Sequence, residues 1–299
     1  MKKPILYMMV GIPASGKSTL AKEYAEKYNA KVFSSDEYRK TLLGDESCQD
    51  NNELVFKSLF TDMYKHLSSG GNVILDACNT TAKSRARVIR NFSDITKIIA
   101  VVVMASYEEC CKRDASRSRT VGMDVIKKFI SAYEFPQHFE GFANIEFVNT
   151  HDMDYRRYYS QYLHTKAIGF HQHSKYHKYD VATHQAMVTR NVEGHYDLFN
   201  AASYHDYGKL YTRKFGEDGY AHYYGHEHWS AYLYATTLDF LDDSSLFTVF
   251  IINYHMKIRD VIKSEKALNK YGKLWGGYRL ARLIQFMEAD NKGSGREES

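Results

Sequence analysis

Two groups of residues in this chain have the types and spacing to do chemistry. The first is the run Gly11-Ile12-Pro13-Ala14-Ser15-Gly16-Lys17-Ser18, which fits G-x-x-x-x-G-K-S. When a strand precedes such a run and a helix follows it, backbone amides and the helix N-terminus cradle the β- and γ-phosphates of a nucleoside triphosphate. The lysine neutralises those phosphates and the hydroxyl holds Mg²⁺. Gly11, Ser15, Gly16, Lys17, Ser18 and Thr19 are therefore assigned to NTP binding, with Ser18 on the metal. The second group is spread over the C-terminal half: His184, the adjacent His205-Asp206, His226, His255 and Asp290. Imidazole with carboxylate suits Mn²⁺, Fe²⁺, Ni²⁺ or Zn²⁺, or Mg²⁺ where carboxylate and water dominate. A single histidine is most simply an ordinary core or surface residue, the reading given to His164, His171, His195 and His228. His173, His177 and His222 lie near the motifs and are candidates for substrate contact.

The elements that must position these groups differ between the two halves. Short apolar runs at Ile5–Val10, Lys31–Ser34, Val73–Leu75, Ile98–Met104 and Ile145–Val148 alternate with amphipathic stretches such as Thr19–Tyr28 and Ser84–Phe92. That pattern predicts an α/β domain, a parallel sheet wrapped by helices, over residues 1–152. Beyond Asn149 the apolar positions follow a helical period at Ser230–Leu241, Leu246–Tyr254 and Leu280–Met287, which predicts an all-α domain over 160–292. Such a bundle can bring its ligands to the centre. Asp152–Tyr162 is polar and tyrosine-rich with no clear core face, so the boundary is placed there. The tail 293–299 has little to bury and is expected to be disordered.

Composition narrows the class. Charged residues at 25% and apolar ones at 44% are the balance of a soluble globular chain, and 299 residues suit two domains. A net charge of +4 identifies no partner by itself. None of the four cysteines sits in a Cys-x-x-Cys spacing, and Cys110 and Cys111 are adjacent, so a reducing cytoplasm is expected. No apolar run approaches the ~18 residues of a membrane span.

Asp36, in Ser35-Asp36-Glu37-Tyr38-Arg39, follows a predicted strand beside the phosphate loop. A carboxylate there either orients and deprotonates an acceptor hydroxyl or caps a helix, and position alone does not choose. The phosphate loop, this segment, Val73-Ile74-Leu75-Asp76-Ala77-Cys78-Asn79 and Lys112-Arg113 with Arg117 together resemble the 5′-hydroxyl polynucleotide kinases, over residues 1 to about 140. The resemblance implies Asp36 as general base and Arg39 as a grip on the acceptor's phosphate. It also implies Arg113 and Arg117 on a lid helix over the donor phosphates, and Asp76 and Asn79 near Mg²⁺ or the acceptor groove. ATP or another NTP with Mg²⁺ would be the donor. Cys78 stands where the family often has threonine.

Tyr179-Asp180-Val181-Ala182-Thr183-His184, Tyr204-His205-Asp206-Tyr207-Gly208-Lys209, Tyr224-Gly225-His226-Glu227, Tyr254-His255-Met256 and Glu288-Ala289-Asp290 resemble the HD-domain phosphohydrolases, over about 170–292. That resemblance implies His184, His205, Asp206 and Asp290 as the metal core, His226 and His255 as holders of a second metal, and Lys209 as a phosphate contact. One or two divalent metals are expected to activate water. A 5′-kinase joined to a phosphohydrolase resembles the end-healing enzymes that repair broken nucleic acid, RNA favoured over DNA, with a separate ligase downstream. In the bacterial fusions of these modules the HD part comes first, whereas here the order is reversed. The alternative expectation is a nucleoside or small-molecule kinase fused to an HD nucleotidase. On the end-healing reading, Arg39, Arg85 and Arg87 are expected to contact nucleic-acid phosphates.

Overall fold

The structure is a computed structural model that describes residues 3–48 and 50–295. The chain forms two compact units. One comprises the described residues up to Phe129 together with Pro136–Thr150; the other takes in Ile130–Phe135 and the chain from His151 onward.

The first unit is an α/β domain built on one five-stranded sheet. Its elements are β1 (Ile5–Val10), α1 (Lys17–Tyr28), β2 (Ala30–Ser34), α2 (Ser35–Leu43), α3 (Asn52–Ser68), β3 (Asn72–Asp76), α4 (Ala82–Phe92), β4 (Lys97–Met104), α5 (Tyr107–Ala115), α6 (Met123–Ile130) and β5 (Asn144–Asn149). All five strands are parallel, in the order β2-β3-β1-β4-β5. Leu6 pairs with Val73 on one side and Ile98 on the other. Helices cover both sheet faces, so the central strands are unbroken apolar runs, and Leu6, Met8, Val73, Leu75, Val101 and Val102 are wholly buried. The strand order reverses at β1, which opens a crevice at its carboxyl end, and the phosphate loop leaves β1 there.

The second unit is largely helical: α7 (Met153–Ala167), α8 (Val181–Asn191), α9 (Tyr196–Tyr204), α10 (Lys209–Thr212), α11 (His226–Thr236), α12 (Asp243–Tyr254), α13 (Ile258–Val261), α14 (Glu265–Trp275) and α15 (Gly277–Gly293). A small antiparallel hairpin, β6 (Lys214–Phe215) with β7 (Ala221–His222), interrupts them. α12 is buried along most of its length, from Leu246 to Tyr254, and packs against α9, α11 and α15. A helix apolar on all sides belongs at the centre of its domain.

Two expectations need correction. The stretch 152–162 has a core face after all: it is α7, and Tyr159, Leu163 and Ala167 are buried at helical spacing. Tyr155, Tyr159 and Tyr162 lie in near-parallel stacks, so their rings pack although a hydropathy scale counts tyrosine as polar. The tail expected from 293 is ordered at its start, because α15 runs to Gly293 and the Ser294 carbonyl accepts from the Lys178 amide at 3.1 Å. Residues 296–299 of that tail lie outside the described residues. Among the described residues no helix is long and apolar enough to cross a membrane.

Candidate functional site

The phosphate loop folds as its residue types require. Gly16 has φ 101° and caps α1 without a side chain, leaving the first amides of that helix for an anion. At Gly11 a β-carbon would stand 2.8 Å from the Val103 carbonyl and 2.7 Å from Ser15 Oγ, so only glycine fits between β1 and β4. The Lys17 ammonium donates to the Ile12 carbonyl at 2.7 Å and is buried within the loop, while Ser18 and Thr19 are exposed on the first turn of α1. Arg113 lies against the loop: its guanidinium donates to the Ser15 carbonyl at 3.4 Å and to Thr150 Oγ1 at 3.2 Å, and Glu109 holds its Nε at 2.8 Å.

Asp36 sits in the first turn of α2, just past the end of β2. It does not cap that helix; the cap position is Ser34, with no side-chain bond. Its carboxylate receives Arg39 Nη1 at 2.6 Å and faces Arg119 Nη1 at 3.5 Å. Arg39 is further held by Asn52 Oδ1 at 3.3 Å, and Arg119 by Glu46 at 3.2 Å. Arg119 was not singled out from sequence, since nothing local distinguishes it from Arg117.

The structure departs from the expected roles at three positions. Arg117 is not on a lid helix: α5 ends at Ala115, and Arg117 lies in the following loop, exposed. The buried Asp114 carboxylate sets that break by accepting from the Val121 and Gly122 amides at 3.1 and 2.9 Å. Asn79 adopts a left-handed φ of 48°, and its amide ties the ends of β1 and β3 together through the Met9 and Ala77 carbonyls at 2.9 and 3.3 Å. Its amide group is thus committed to the scaffold, whereas Asp76 at the end of β3 stays partly exposed. Arg85 is wholly buried and forms a two-pronged pair with Glu140, both contacts at 2.8 Å, so it contacts no nucleic acid. Arg85→Ala empties a wholly buried site and leaves the half-buried Glu140 carboxylate without its partner; it should lower stability by about 3–5 kcal/mol in denaturant titration and leave kcat per folded molecule unchanged. Arg87 is exposed, with its guanidinium over the Phe56 and Phe60 rings.

In the second unit, five elements bring the six histidine and aspartate residues together. Asp180 caps α8 by accepting from the Thr183 amide at 2.7 Å, which sets His184 in the first turn. His205 and His255 end α9 and α12, Asp206 follows His205, His226 opens α11, and Asp290 comes from α15. Gly208 lets the chain turn between these ends, since a β-carbon there would meet the His226 carbonyl at 2.0 Å. His184, His205 and Asp290 form one group and Asp206, His226 and His255 a second, with donor atoms in each within 4.8 Å of one another. Asp206 joins them: Oδ2 lies 3.3 Å from His184 Nε2, and Oδ1 3.3 Å from His226 Nε2.

The donor set fits divalent metals. Each histidine turns Nδ1 to a backbone carbonyl: His184 to Gly293 at 3.0 Å, His205 to Ala202 at 3.0 Å, His226 to Tyr223 at 2.7 Å and His255 to Ile252 at 2.8 Å. A carbonyl only accepts, so the protons belong on Nδ1, and each neutral ring presents an Nε2 lone pair inward. His184 and His205 then face each other Nε2 to Nε2 at 3.2 Å, and His226 and His255 at 3.3 Å. Two lone pairs at that distance repel unless a proton or cation lies near both. The charges express the same demand. Burial would keep the His184 ring neutral, but bonds to Asp206 and Asp290 outweigh it and raise its pKa to about 9. Burial pushes the Asp206 carboxyl up; Lys209, His205 and the bonds from His184 and His226 overcome this and hold it well below the usual carboxylate range. Burial and the neighbouring His226 and His205 push the His255 pKa well down.

Around this centre, the buried Lys209 ammonium donates to Asp206 Oδ2 and Gln172 Oε1, both at 2.6 Å, and lies 3.1 Å from His177 Nε2. Burial and the Lys209 charge lower the His177 pKa to about 3, so that ring is neutral. Arg259 reaches Asp290 Oδ2 at 2.7 Å. Sequence reading missed it, although it stands one helical turn after His255. A cavity of about 1150 Å³ opens onto Asp206, His226, His255, Asp290, Lys209 and Arg259.

Residues 6–136 match the family model described as an AAA domain. No curated protein matches the chain. Among solved structures, a chain of the Pnkp1/Rnl/Hen1 complex is 28% identical over 38% of this chain and 40% of its own, with a TM-score of 0.36. A chain of the Pnkp1/Rnl/Hen1 RNA repair complex is 24% identical over 44% of each, at 0.42. The Mycobacterium tuberculosis APS kinase CysC is 17% identical over 52% of this chain and 94% of its own, at 0.39. This chain thus covers less than half the length of the repair-complex chains it matches. The first unit carries a phosphate loop at the end of β1 in a parallel α/β sheet, the setting of an NTP-binding loop.

Proposed function

We propose that this chain is a bifunctional nucleic-acid end-healing enzyme, a 5′-hydroxyl kinase joined to a metal-dependent phosphohydrolase of 2′,3′-phosphate ends, with RNA the favoured substrate and a separate ligase downstream. The observation that carries this reading is the presence in one chain of two complementary centres: a phosphate loop with a strand-end carboxylate, and two joined histidine-aspartate clusters. In the first, Lys17 and Arg113 take the donor phosphates, Ser18 meets Mg²⁺, and Asp36 receives the proton of the acceptor hydroxyl while Arg39 steadies that carboxylate. In the second, His184, His205, Asp206 and Asp290 would hold one metal, and Asp206, His226 and His255 another. Divalent metals there supply Lewis acidity and lower the pKa of water. Lys209 and Arg259 orient Asp206 and Asp290, and both line the same cavity on the side where an incoming phosphate would meet positive charge.

The test is one short RNA with a 5′-hydroxyl and a 2′,3′-cyclic phosphate, incubated with ATP, Mg²⁺ and Mn²⁺, and both ends read by mass. Gain at the 5′ end and loss at the 3′ end support the proposal; no change at either end overturns it.

Metal binding is separately measurable. Adding Mn²⁺ at about 100 times its Kd should stabilise the second unit by about 2.7 kcal/mol and raise its Tm by roughly 5–10 °C, reversed by EDTA. An unchanged melting curve with each of the candidate metals would exclude the site.

A further inference from the structure

We infer that the hairpin wall of the C-terminal cavity is a base-stacking platform that seats the terminal nucleotide of a single-stranded polynucleotide's 3′ end, so that the second unit prefers polymer ends to free mononucleotides. This rests on reading that unit as a phosphohydrolase of nucleic-acid ends.

The cavity is too large and too aromatic for a phosphate alone. Its volume of about 1150 Å³ exceeds the usual 300–1,000 Å³ of small-ligand sites. Tyr224 lines it, is 79% exposed, and lies two residues before His226, so its Cα is within about 7 Å of that ligand's. Its ring is parallel to that of His222, the planes 3° apart and the centroids at 5.7 Å. A solvent-facing ring already backed by a second ring offers its outer face to a base at little ordering cost.

The platform is braced. Asp218 accepts from the Tyr220 amide and from His222 Nε2, each at 3.2 Å, which fixes the turn and the backing ring. The Ala221 amide donates to the His173 carbonyl at 2.9 Å and the Tyr223 hydroxyl to the Gln172 carbonyl at 2.6 Å. Gln172 in turn holds Lys209, which holds Asp206. A short chain of bonds therefore fixes the distance between the stacked rings and the metal centre.

Charge supplies the second half of the recognition. Lys175, Lys263, Lys292 and Arg259 stand around the cavity. Among the described residues that line it, five cationic side chains oppose four carboxylates, and two of those carboxylates are the candidate ligands Asp206 and Asp290. Two divalent ions would turn a net charge of about +1 into +5. A rim of lysines beside exposed tyrosines suits a strand with several phosphates, whereas a mononucleotide uses one contact of each kind.

The test uses the full chain with Mn²⁺ and a short RNA carrying a 5′-phosphate, a terminal 2-aminopurine nucleotide and a non-hydrolysable 3′-methylphosphonate. Stacking should quench the 2-aminopurine fluorescence on binding. Tyr224→Ala should remove the quench and weaken binding about 5- to 150-fold, Tyr224→Phe should keep both, and the matching mononucleotide, which has the stack but one phosphate only, should bind more weakly than the RNA and lose affinity by a similar factor on Tyr224→Ala. Equal binding to wild type and Tyr224→Ala, or tighter binding of the mononucleotide, overturns the inference. A quenched RNA whose hydrolysable counterpart releases no phosphate leaves the platform standing and overturns the proposed reaction. Phosphate release that is indifferent to Tyr224→Ala does the reverse. RNA that does not bind at all overturns both.

Discussion

Asp206→Asn should abolish phosphate release from the 3′ end while 5′ phosphorylation continues. One carboxylate serves both clusters, with Oδ2 toward His184 and His205 at 3.3 and 3.5 Å and Oδ1 toward His226 at 3.3 Å. Asparagine keeps the shape but loses the charge and one acceptor oxygen, so both proposed metal positions would weaken together. A metal's stabilisation of developing charge amounts to several kcal/mol, and each ~1.4 kcal/mol is a factor of ten in rate. The expected loss is therefore about 10³-fold or more. Misfolding is the competing explanation, because Lys209 stays buried beside a neutral group, although Gln172 Oε1 still accepts from it. Persistent 5′-kinase activity would not rule misfolding out in the second unit alone, so the far-ultraviolet spectrum and the metal-free Tm are the needed controls. A folded variant that still hydrolyses at more than about a tenth of the wild-type rate would remove Asp206 from the centre.

The parts of this molecule that were legible in sequence are those whose chemistry dictates residue type. A phosphate loop needs its glycines and lysine in one short run, so Gly11, Gly16 and Lys17 announce themselves. The six histidine and aspartate residues are far apart in the chain but recur in an order of short motifs, and the fold closes them into two joined groups. What could not be read is which side of a helix faces inward when the inward residue is charged. Arg85 looks like a surface arginine until it is set on the stripe it shares with Val88 and Phe92, all three buried in α4. Arg117 and Arg119 differ by two positions; the turn that Asp114 imposes aims the second at Asp36 and leaves the first in solvent. α7 escaped notice because its buried Tyr159 stacks between the half-buried Tyr155 and Tyr162, an effect that depends on neighbours and not on single-residue hydropathy. The hairpin was missed for a simpler reason, since two-residue strands leave no alternation to detect.

Asp36→Ala should lower kcat for 5′-phosphoryl transfer by about 10²- to 10⁴-fold, the range for loss of a positioned general base, and leave ATP binding and 3′-phosphate release unchanged. Geometry makes the residue more than a charge near the loop. Its oxygens are held by Arg39 at 2.6 Å and Arg119 at 3.5 Å, so the carboxylate has a fixed direction at the end of β2. Those same arginines create an ambiguity, because Ala also releases Arg39, and a phosphate grip lost with it would mimic a lost base. Asp36→Asn separates the two. The amide keeps a carbonyl acceptor for Arg39 but cannot take a proton, so a general base predicts nearly the same fall in kcat as Ala, with KM for the polynucleotide little changed. A positioning role predicts that Asn restores most of the activity. Arg119→Ala completes the comparison: if Arg119 only orients Asp36, its effect should vanish in the Asp36→Ala background, whereas a direct contact with the acceptor's phosphate would add a separate rise in KM and flatten its salt dependence.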